Sequence, residues 1–331
     1  MEFLLELKKC EEQGEIPGKC LCILKDMYKS YQHTYESNGM SLELLEGMYS
    51  TLLGLVKVQV SNPFVFEPFH QRKTEPFDYY GFGLDFIRPL VDLDKSAVRG
   101  IQNVDRMVKQ IQSGDNVILL ANHQTEPDPQ IISILLEETH SSFAADMIFV
   151  AGDRVTTDPL ASTFSIGRNL LCIYSKKHID DVPKLKEEKQ RHNKRTMQLM
   201  SELLSEGGKC IFVAPSGGRD RLNPQGVLEV ASFDPQSIEM FSLMTQRAKS
   251  NSHFYPLTLA TYPIAPPPQS IEREVGERRS LERKGAVISF LDEVELSSIP
   301  NSDSKDKRLN RLRRADYIWS LVNEEHKNLI A

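Results

Sequence analysis

The chain has 331 residues, of which 40% are hydrophobic and 26% charged, and its formal net charge is −6. This composition is typical of a globular protein with one large and one smaller domain, and the negative charge argues against a general nucleic-acid-binding protein. The five cysteines have neither disulfide-framework nor zinc-site spacing, and no apolar run approaches the roughly 20 residues of a membrane helix.

The amino-terminal part of the chain is predicted to be a small helical bundle. Apolar residues recur at helical spacing over 3–12 and 20–35, and a third helix is predicted to begin after Ser41. A proline-rich linker follows. We therefore assign residues 1–75 to a helical-bundle domain and residues 76–331 to a second domain.

In the second domain, short apolar runs alternate with helix-like segments. This alternation predicts an α/β fold with a mixed, mostly parallel sheet flanked by helices. The predicted strands span residues 116–121, 147–151, 170–174, 210–214, 253–259 and 286–290. The predicted helices span residues 129–138, 158–164, 182–205, 236–248 and 305–329.

The end of the strand predicted at 116–121 is the first candidate for catalysis. His123 follows this strand, and Asp128 with Pro129 opens the next helix. Active sites of parallel α/β proteins lie at the carboxyl ends of strands, and an imidazole held by a carboxylate is a general base for an alcohol or a thiol. In the alternative interpretation, Asp128 is an ordinary helix N-cap and His123 an ordinary polar residue.

Two other predicted strands end in positively charged clusters. Arginine forks match phosphate oxygens, and parallel strands direct their carboxyl ends to one edge of the sheet. A phosphate site beside His123 is therefore predicted. In the alternative interpretation, these groups are solvated or paired with nearby carboxylates. The candidate phosphate ligands are Lys177, His178, Arg219 and Arg221.

Other chemistries have weaker support in the sequence. There is no Walker sequence and no G-x-S-x-G elbow, and Gly81-Phe82-Gly83 lacks the third glycine of a dinucleotide site. Ser216 as a hydrolase nucleophile stays an alternative, although nothing local supplies its base. A non-catalytic phosphate- or phospholipid-binding α/β module is the other alternative. The basic runs at 184–195, 273–284 and 305–314 are interpreted as solvated faces.

The ordered motifs resemble a known family. His123-x4-Asp128 resembles the H-x4-D signature of the glycerolipid acyltransferases, and three later blocks follow in the family's order. Over the whole chain, the sequence is similar to the soluble plastid (chloroplast stromal) glycerol-3-phosphate acyltransferases of plants. The three later blocks are Phe164–Asn169, Pro215–Arg219 and Tyr255–Leu257.

The resemblance implies acyl transfer from an acyl-[acyl-carrier-protein] or acyl-CoA thioester to the sn-1 hydroxyl of glycerol 3-phosphate, which gives lysophosphatidic acid, the first step of glycerolipid synthesis. His123 would be the general base, oriented by Asp128, and the four cationic residues would bind the phosphate. Neither a metal nor a cofactor is implied. The implied location is the plastid stroma, and no transit peptide is recognisable in the chain. Ser216 stands where the broader family has Glu, so the role of that Glu is not carried over.

Overall fold

The computed structural model describes residues 2–175, 179–268, 279–302 and 304–330. The helices are α1 (Glu2–Gln13), α2 (Gly18–Ser37), α3 (Leu42–Ser61), α4 (Tyr79–Ile87), α5 (Ile101–Gln112), α6 (Asp128–Asp146), α7 (Arg154–Thr157), α8 (Pro159–Ser165), α9 (Lys186–Glu206), α10 (Pro235–Arg247) and α11 (Lys307–Ile330). The strands are β1 (Phe69–His70), β2 (Ala97–Arg99), β3 (Asn116–Ala121), β4 (Ile148–Gly152), β5 (Asn169–Ile173), β6 (Cys210–Val213), β7 (Arg221–Leu222), β8 (Leu228–Glu229), β9 (Ser252–Ala260) and β10 (Val287–Phe290).

Eight of the strands form one sheet in the order β1-β5-β4-β6-β3-β9-β10-β2. The five strands from β5 to β9 run parallel, β10 is antiparallel to β9, β2 is parallel to β10, and β1 is antiparallel to β5. The predicted mixed, mostly parallel sheet is therefore confirmed. The carboxyl ends of β3, β6 and β9 meet at one edge, because these three strands are parallel neighbours.

The central strands are apolar on both faces because helices cover both sides of the sheet. All six residues of β3 and all four residues of β6 are buried. Alternate residues of β3 enter different core clusters: Val117 and Leu119 pack on one side, and Ile118 and Leu120 on the other. Buried Cys172 and Cys210 carry free thiols.

The first three helices pack on one another and on the α/β part. The rings of Phe3, Tyr28 and Tyr49 contact one another, and Tyr49 also contacts Phe86 of α4. The same buried cluster continues to Ile264, so these helices share a core with the rest of the chain. Strand β1 lies before residue 76, yet it pairs with β5; the proposed domain boundary stays a prediction.

Several elements differ from the predicted pattern, among them the short strands β1, β2, β7 and β8 and the short helix α7, which were not predicted. Helix α4 and helix α5 were not predicted, and α6 runs on to Asp146, through a kink at His140 where φ is −138° and ψ is 45°. Polar residues after 136 end the apolar periodicity on which the prediction depended. Gly100 precedes α5 with φ of 72°, and a Cβ atom there would lie 2.0 Å from Phe290 O, so glycine is required.

None of the helices in the described ranges is both long enough and apolar enough to cross a lipid bilayer.

Candidate active site

His123 and Asp128 lie on either side of one tight polar turn. Strand β3 ends at Ala121, His123 follows it, and Asp128 is the first residue of α6. His123 Nδ1 lies 2.7 Å from Asp128 Oδ2. The side chain of Asp128 is inaccessible to solvent, whereas that of His123 is 29% exposed. The turn therefore places a buried carboxylate behind an imidazole that a substrate can reach.

Five donors surround the carboxylate of Asp128. Its Oδ2 accepts from His123 Nδ1, from Gln124 N at 2.8 Å and from Thr125 N at 3.2 Å. Its Oδ1 accepts from the hydroxyls of Thr125 and Thr261, each at 2.6 Å. Burial alone would raise the pKa of Asp128, but the hydrogen bonds from His123 and from the hydroxyls of Thr125 and Thr261 outweigh it and lower the pKa.

The ionised carboxylate selects one tautomer of His123. Because Asp128 can only accept, the hydrogen bond assigns the ring proton to Nδ1, which leaves the lone pair on Nε2. Within the described parts of the chain, Nε2 has no hydrogen-bond partner. His123 is thus poised to accept a proton through Nε2, as in the His/Asp arrangement of acyl-transfer enzymes.

The alternative role of Asp128 as a helix cap is not what the structure shows. The residue at the N-cap of α6 is Pro127, and no side chain caps that helix. Asp128 instead directs its carboxylate back into the turn, towards His123 and towards Thr261, which follows β9. Its contacts are those of an orienting group for the imidazole.

Arg219 and Arg221 lie beside this turn. They flank Asp220, whose backbone N donates to His123 O at 2.6 Å. The positive charge of Arg219 acts on the carboxylate of Glu126, and Arg221 Nη1 donates to Pro268 O. The structure therefore places the predicted arginines and the predicted base on one rim; their roles stay predictions. Lys177 and His178 lie outside the described residues.

Comparison of the sequence with known proteins identifies the family of this chain. A family model described as Acyltransferase matches residues 95–264, which include the His123 turn and the Arg219 loop. The chloroplastic glycerol-3-phosphate acyltransferase of Spinacia oleracea is 38% identical over 100% of this chain and 70% of its own length. Its Arabidopsis thaliana counterpart is 36% identical over 99% of this chain and 72% of its own length. A chloroplastic glycerol-3-phosphate acyltransferase of Cucurbita moschata is 40% identical over 90% of this chain and 65% of its own length. The chain belongs to the plant chloroplast glycerol-3-phosphate acyltransferase family. This confirms the resemblance stated from the motifs.

Arg279 and Glu126 also lie in the site of this acyltransferase, although neither was predicted as a site residue. Arg279 donates to both oxygens of Glu126, from Nε at 2.8 Å and from Nη2 at 3.0 Å. Burial would raise the pKa of Glu126, but Arg279 and Arg219 outweigh it and lower the pKa. Arg279 comes from a basic run that we interpreted as a solvated face. Its charge pattern alone does not distinguish a residue that holds the catalytic turn.

Ser216 does not have the geometry of a nucleophile in this acyltransferase. Its hydroxyl donates to Gly218 O at 2.8 Å, within its own glycine turn. A serine nucleophile needs its hydroxyl proton directed at a base, and the proton of Ser216 is directed at a backbone carbonyl instead. The site therefore favours a reaction in which His123 acts on a substrate hydroxyl.

Proposed function

We propose that the chain transfers an acyl group from an acyl-[acyl-carrier-protein] thioester, or from acyl-CoA, to the sn-1 hydroxyl of glycerol 3-phosphate. The product is 1-acyl-glycerol 3-phosphate. The observation that carries this proposal is the single rim on which the Asp128-held imidazole of His123 and the Arg219 loop lie together. The names of the relatives support the acceptor, and their chloroplastic assignment supports a plastid location.

The reaction needs one proton to move twice. His123 Nε2 takes the proton of the sn-1 hydroxyl as that oxygen attacks the thioester carbonyl carbon, and the C–S bond then breaks. The departing thiolate takes the proton back from the imidazolium. General-base catalysis of this kind contributes about 10²- to 10⁴-fold in rate. Asp128 fixes the tautomer and stabilises the imidazolium, and no acyl-enzyme is formed.

The phosphate of the acceptor gives orientation. Arg219 and Arg221, with Lys177 and His178 as further predicted ligands, would hold the phosphate through charge-assisted hydrogen bonds. A hydroxyl tethered to a bound phosphate reaches His123 at a fixed distance, so binding energy is converted into alignment. This division assigns binding to the arginine loop and proton transfer to the histidine turn.

The test is a comparison of two acyl donors with labelled glycerol 3-phosphate. We expect 1-acyl-glycerol 3-phosphate from both, with a higher kcat/KM for the acyl-carrier-protein thioester than for acyl-CoA. Absence of product with either donor, while glycerol 3-phosphate still binds, would identify a phosphate-binding module instead. A serine-reactive phosphonate provides the control against a hydrolase: it should leave both Ser216 and turnover unaffected.

A further inference from the structure

Asp220 is the residue between the two predicted phosphate arginines, and it faces the interior of the protein. Its side chain is fully buried, whereas Arg219 and Arg221 on either side are only partly buried. The backbone N of Asp220 donates to His123 O at 2.6 Å. The peptide that carries the arginines is therefore bonded directly to the peptide that carries the base.

The carboxylate of Asp220 accepts hydrogen bonds from the side chains of Asn122 and Gln124, the two residues adjacent to His123 in sequence. Its Oδ2 accepts from Asn122 Nδ2 at 2.8 Å and from Gln124 Nε2 at 3.2 Å, and its Oδ1 accepts from Ala231 N at 2.9 Å. Burial raises the pKa of Asp220 to about 6, although these donors oppose the shift. Above that pH, the ionised carboxylate matches the donors that surround it.

Both the oxygen and the nitrogen of the Gln124 side-chain amide make hydrogen bonds in this network. Its Oε1 accepts from Thr261 N at 2.7 Å and from Tyr262 N at 2.9 Å, which fixes the orientation of the amide group. The amide nitrogen then donates to Asp220 and to His326 Nε2, at 2.8 Å. Because an amide nitrogen cannot accept, His326 Nε2 must carry a lone pair, so His326 is neutral here.

His326 brings the carboxyl-terminal helix into the network. It lies on α11, more than 200 positions after Gln124 in sequence, and is 1% exposed. Burial lowers the pKa of His326, which agrees with its role as an acceptor. Its hydrogen bond to Gln124 links it to the residue next to His123.

We propose that Asp220, Gln124 and His326 are positioning residues that set the distance between the phosphate-binding loop and the base. The proposal rests on the proposed function for the roles of His123 and Arg219. Misplacement of a catalytic group by about 1 Å can cost about 100-fold in rate, so a fixed bridge between the two loops has a kinetic value beyond stability. None of the three touches the reacting atoms.

Asp220→Asn is the first test, because it keeps the shape and changes the donor pattern. An amide NH2 at position 220 must face either Ala231 N or the side-chain donors of Asn122 and Gln124. Either orientation sets a donor against a donor in a buried site, so the bridge shifts. The change also removes a negative charge near the proposed phosphate site. Weaker phosphate binding in the variant would therefore not be due to electrostatic repulsion.

The full-length protein carrying Asp220→Asn is compared with wild type and with the same change in an Arg219→Ala background. We expect kcat/KM for glycerol 3-phosphate to fall about 30-fold in the wild-type background, and at most about fivefold in Arg219→Ala, where alignment with the base is already lost. A purely structural role predicts the same factor in both backgrounds, and that result would overturn the proposal.

His326 offers a matched pair of variants that decides the question even where Asp220→Asn fails to fold. His326→Gln keeps an acceptor near the position of Nε2, whereas His326→Leu fills the space without one. We expect His326→Gln to stay within about twofold of wild-type kcat and His326→Leu to lose about fivefold or more. Equal activity of the two variants would contradict the bridge. If the proposed function itself were wrong, wild type would give no acylated product, which is a different result from either.

Discussion

His123 and His253 lie at opposite ends of the central parallel strands. A comparison of the two shows which contacts allow a histidine to act as a base. His123 follows the end of β3, whereas His253 lies near the start of β9 and pairs with Val117 near the start of β3. His123 is six positions after Val117, which corresponds to about 20 Å of extended chain. Both rings contact carboxylates, so proximity to an acidic residue does not distinguish them.

The difference lies in the second ring nitrogen. His253 Nδ1 lies 2.6 Å from Glu293 Oε1 and its Nε2 lies 3.1 Å from Asp115 Oδ2, so both nitrogens are held. Burial would lower the pKa of His253, but Glu293 and Asp115 outweigh it and raise the pKa. His253 is a cation that joins two carboxylates. His123 has one carboxylate and keeps its Nε2 for a substrate.

The largest effect should come from the same change made at each histidine's carboxylate. Asp128→Asn replaces an acceptor of five donors with a group that also donates, which favours the wrong tautomer of His123. We expect kcat to fall by about 10³- to 10⁴-fold in a folded protein. The matched change Asp115→Asn should alter kcat by less than about twofold. Similar losses in both variants, measured as initial rates with either donor, would remove the distinction.

The second-largest effect should be on phosphate binding, which we assign to the arginine loop beside His123. Arg219→Ala removes a charge-assisted hydrogen bond worth about 1.5–3 kcal/mol, so KM for glycerol 3-phosphate should rise about 10- to 100-fold. Arg308, exposed in the first turn of α11, provides the control, and Arg308→Ala should leave KM unchanged. An unchanged KM in Arg219→Ala would contradict its assignment to the phosphate.

The smallest effect concerns stability and belongs to His253. A raised pKa in the folded state means that its contribution is complete below pH 6.5 and is lost as the pH rises through the folded value. We expect the free energy of unfolding to fall over that range, by less than about 1 kcal/mol because the cluster is partly exposed. Urea unfolding of His253→Gln should lack this component; an unchanged pH dependence would show that the cluster contributes nothing.

The sequence predicted the parts of this site that depend on local spacing. His123 and Asp128 are five residues apart, and a strand, a polar turn and a helix start are visible in that stretch. Strand β6, which precedes the arginine loop, was predicted in the same way, because unbroken apolar runs mark buried parallel strands. Helix α5 was not predicted, although Val104, Met107 and Ile111 recur in it at helical spacing. No side chain caps its amino terminus, so a start signal is missing from the sequence.

The remaining site residues could not be predicted because tertiary packing brings them to the turn. Thr261 lies 133 positions from the Asp128 that it contacts, Arg279 lies 153 from Glu126, and His326 lies 202 from Gln124. Each is an ordinary residue in its own segment. Only the register of β9 against β3 and the packing of α11 on the sheet bring these residues to the histidine turn.

The central claim is that His123 removes the hydroxyl proton while the arginine loop holds the phosphate. It is tested most directly by single-turnover acyl transfer in His123→Ala, with glycerol 3-phosphate binding measured by calorimetry on the same preparation. We predict one binding site with near-wild-type Kd and a transfer rate at least about 10³-fold lower. A His123→Ala protein that binds glycerol 3-phosphate and transfers at more than a tenth of the wild-type rate would contradict the account.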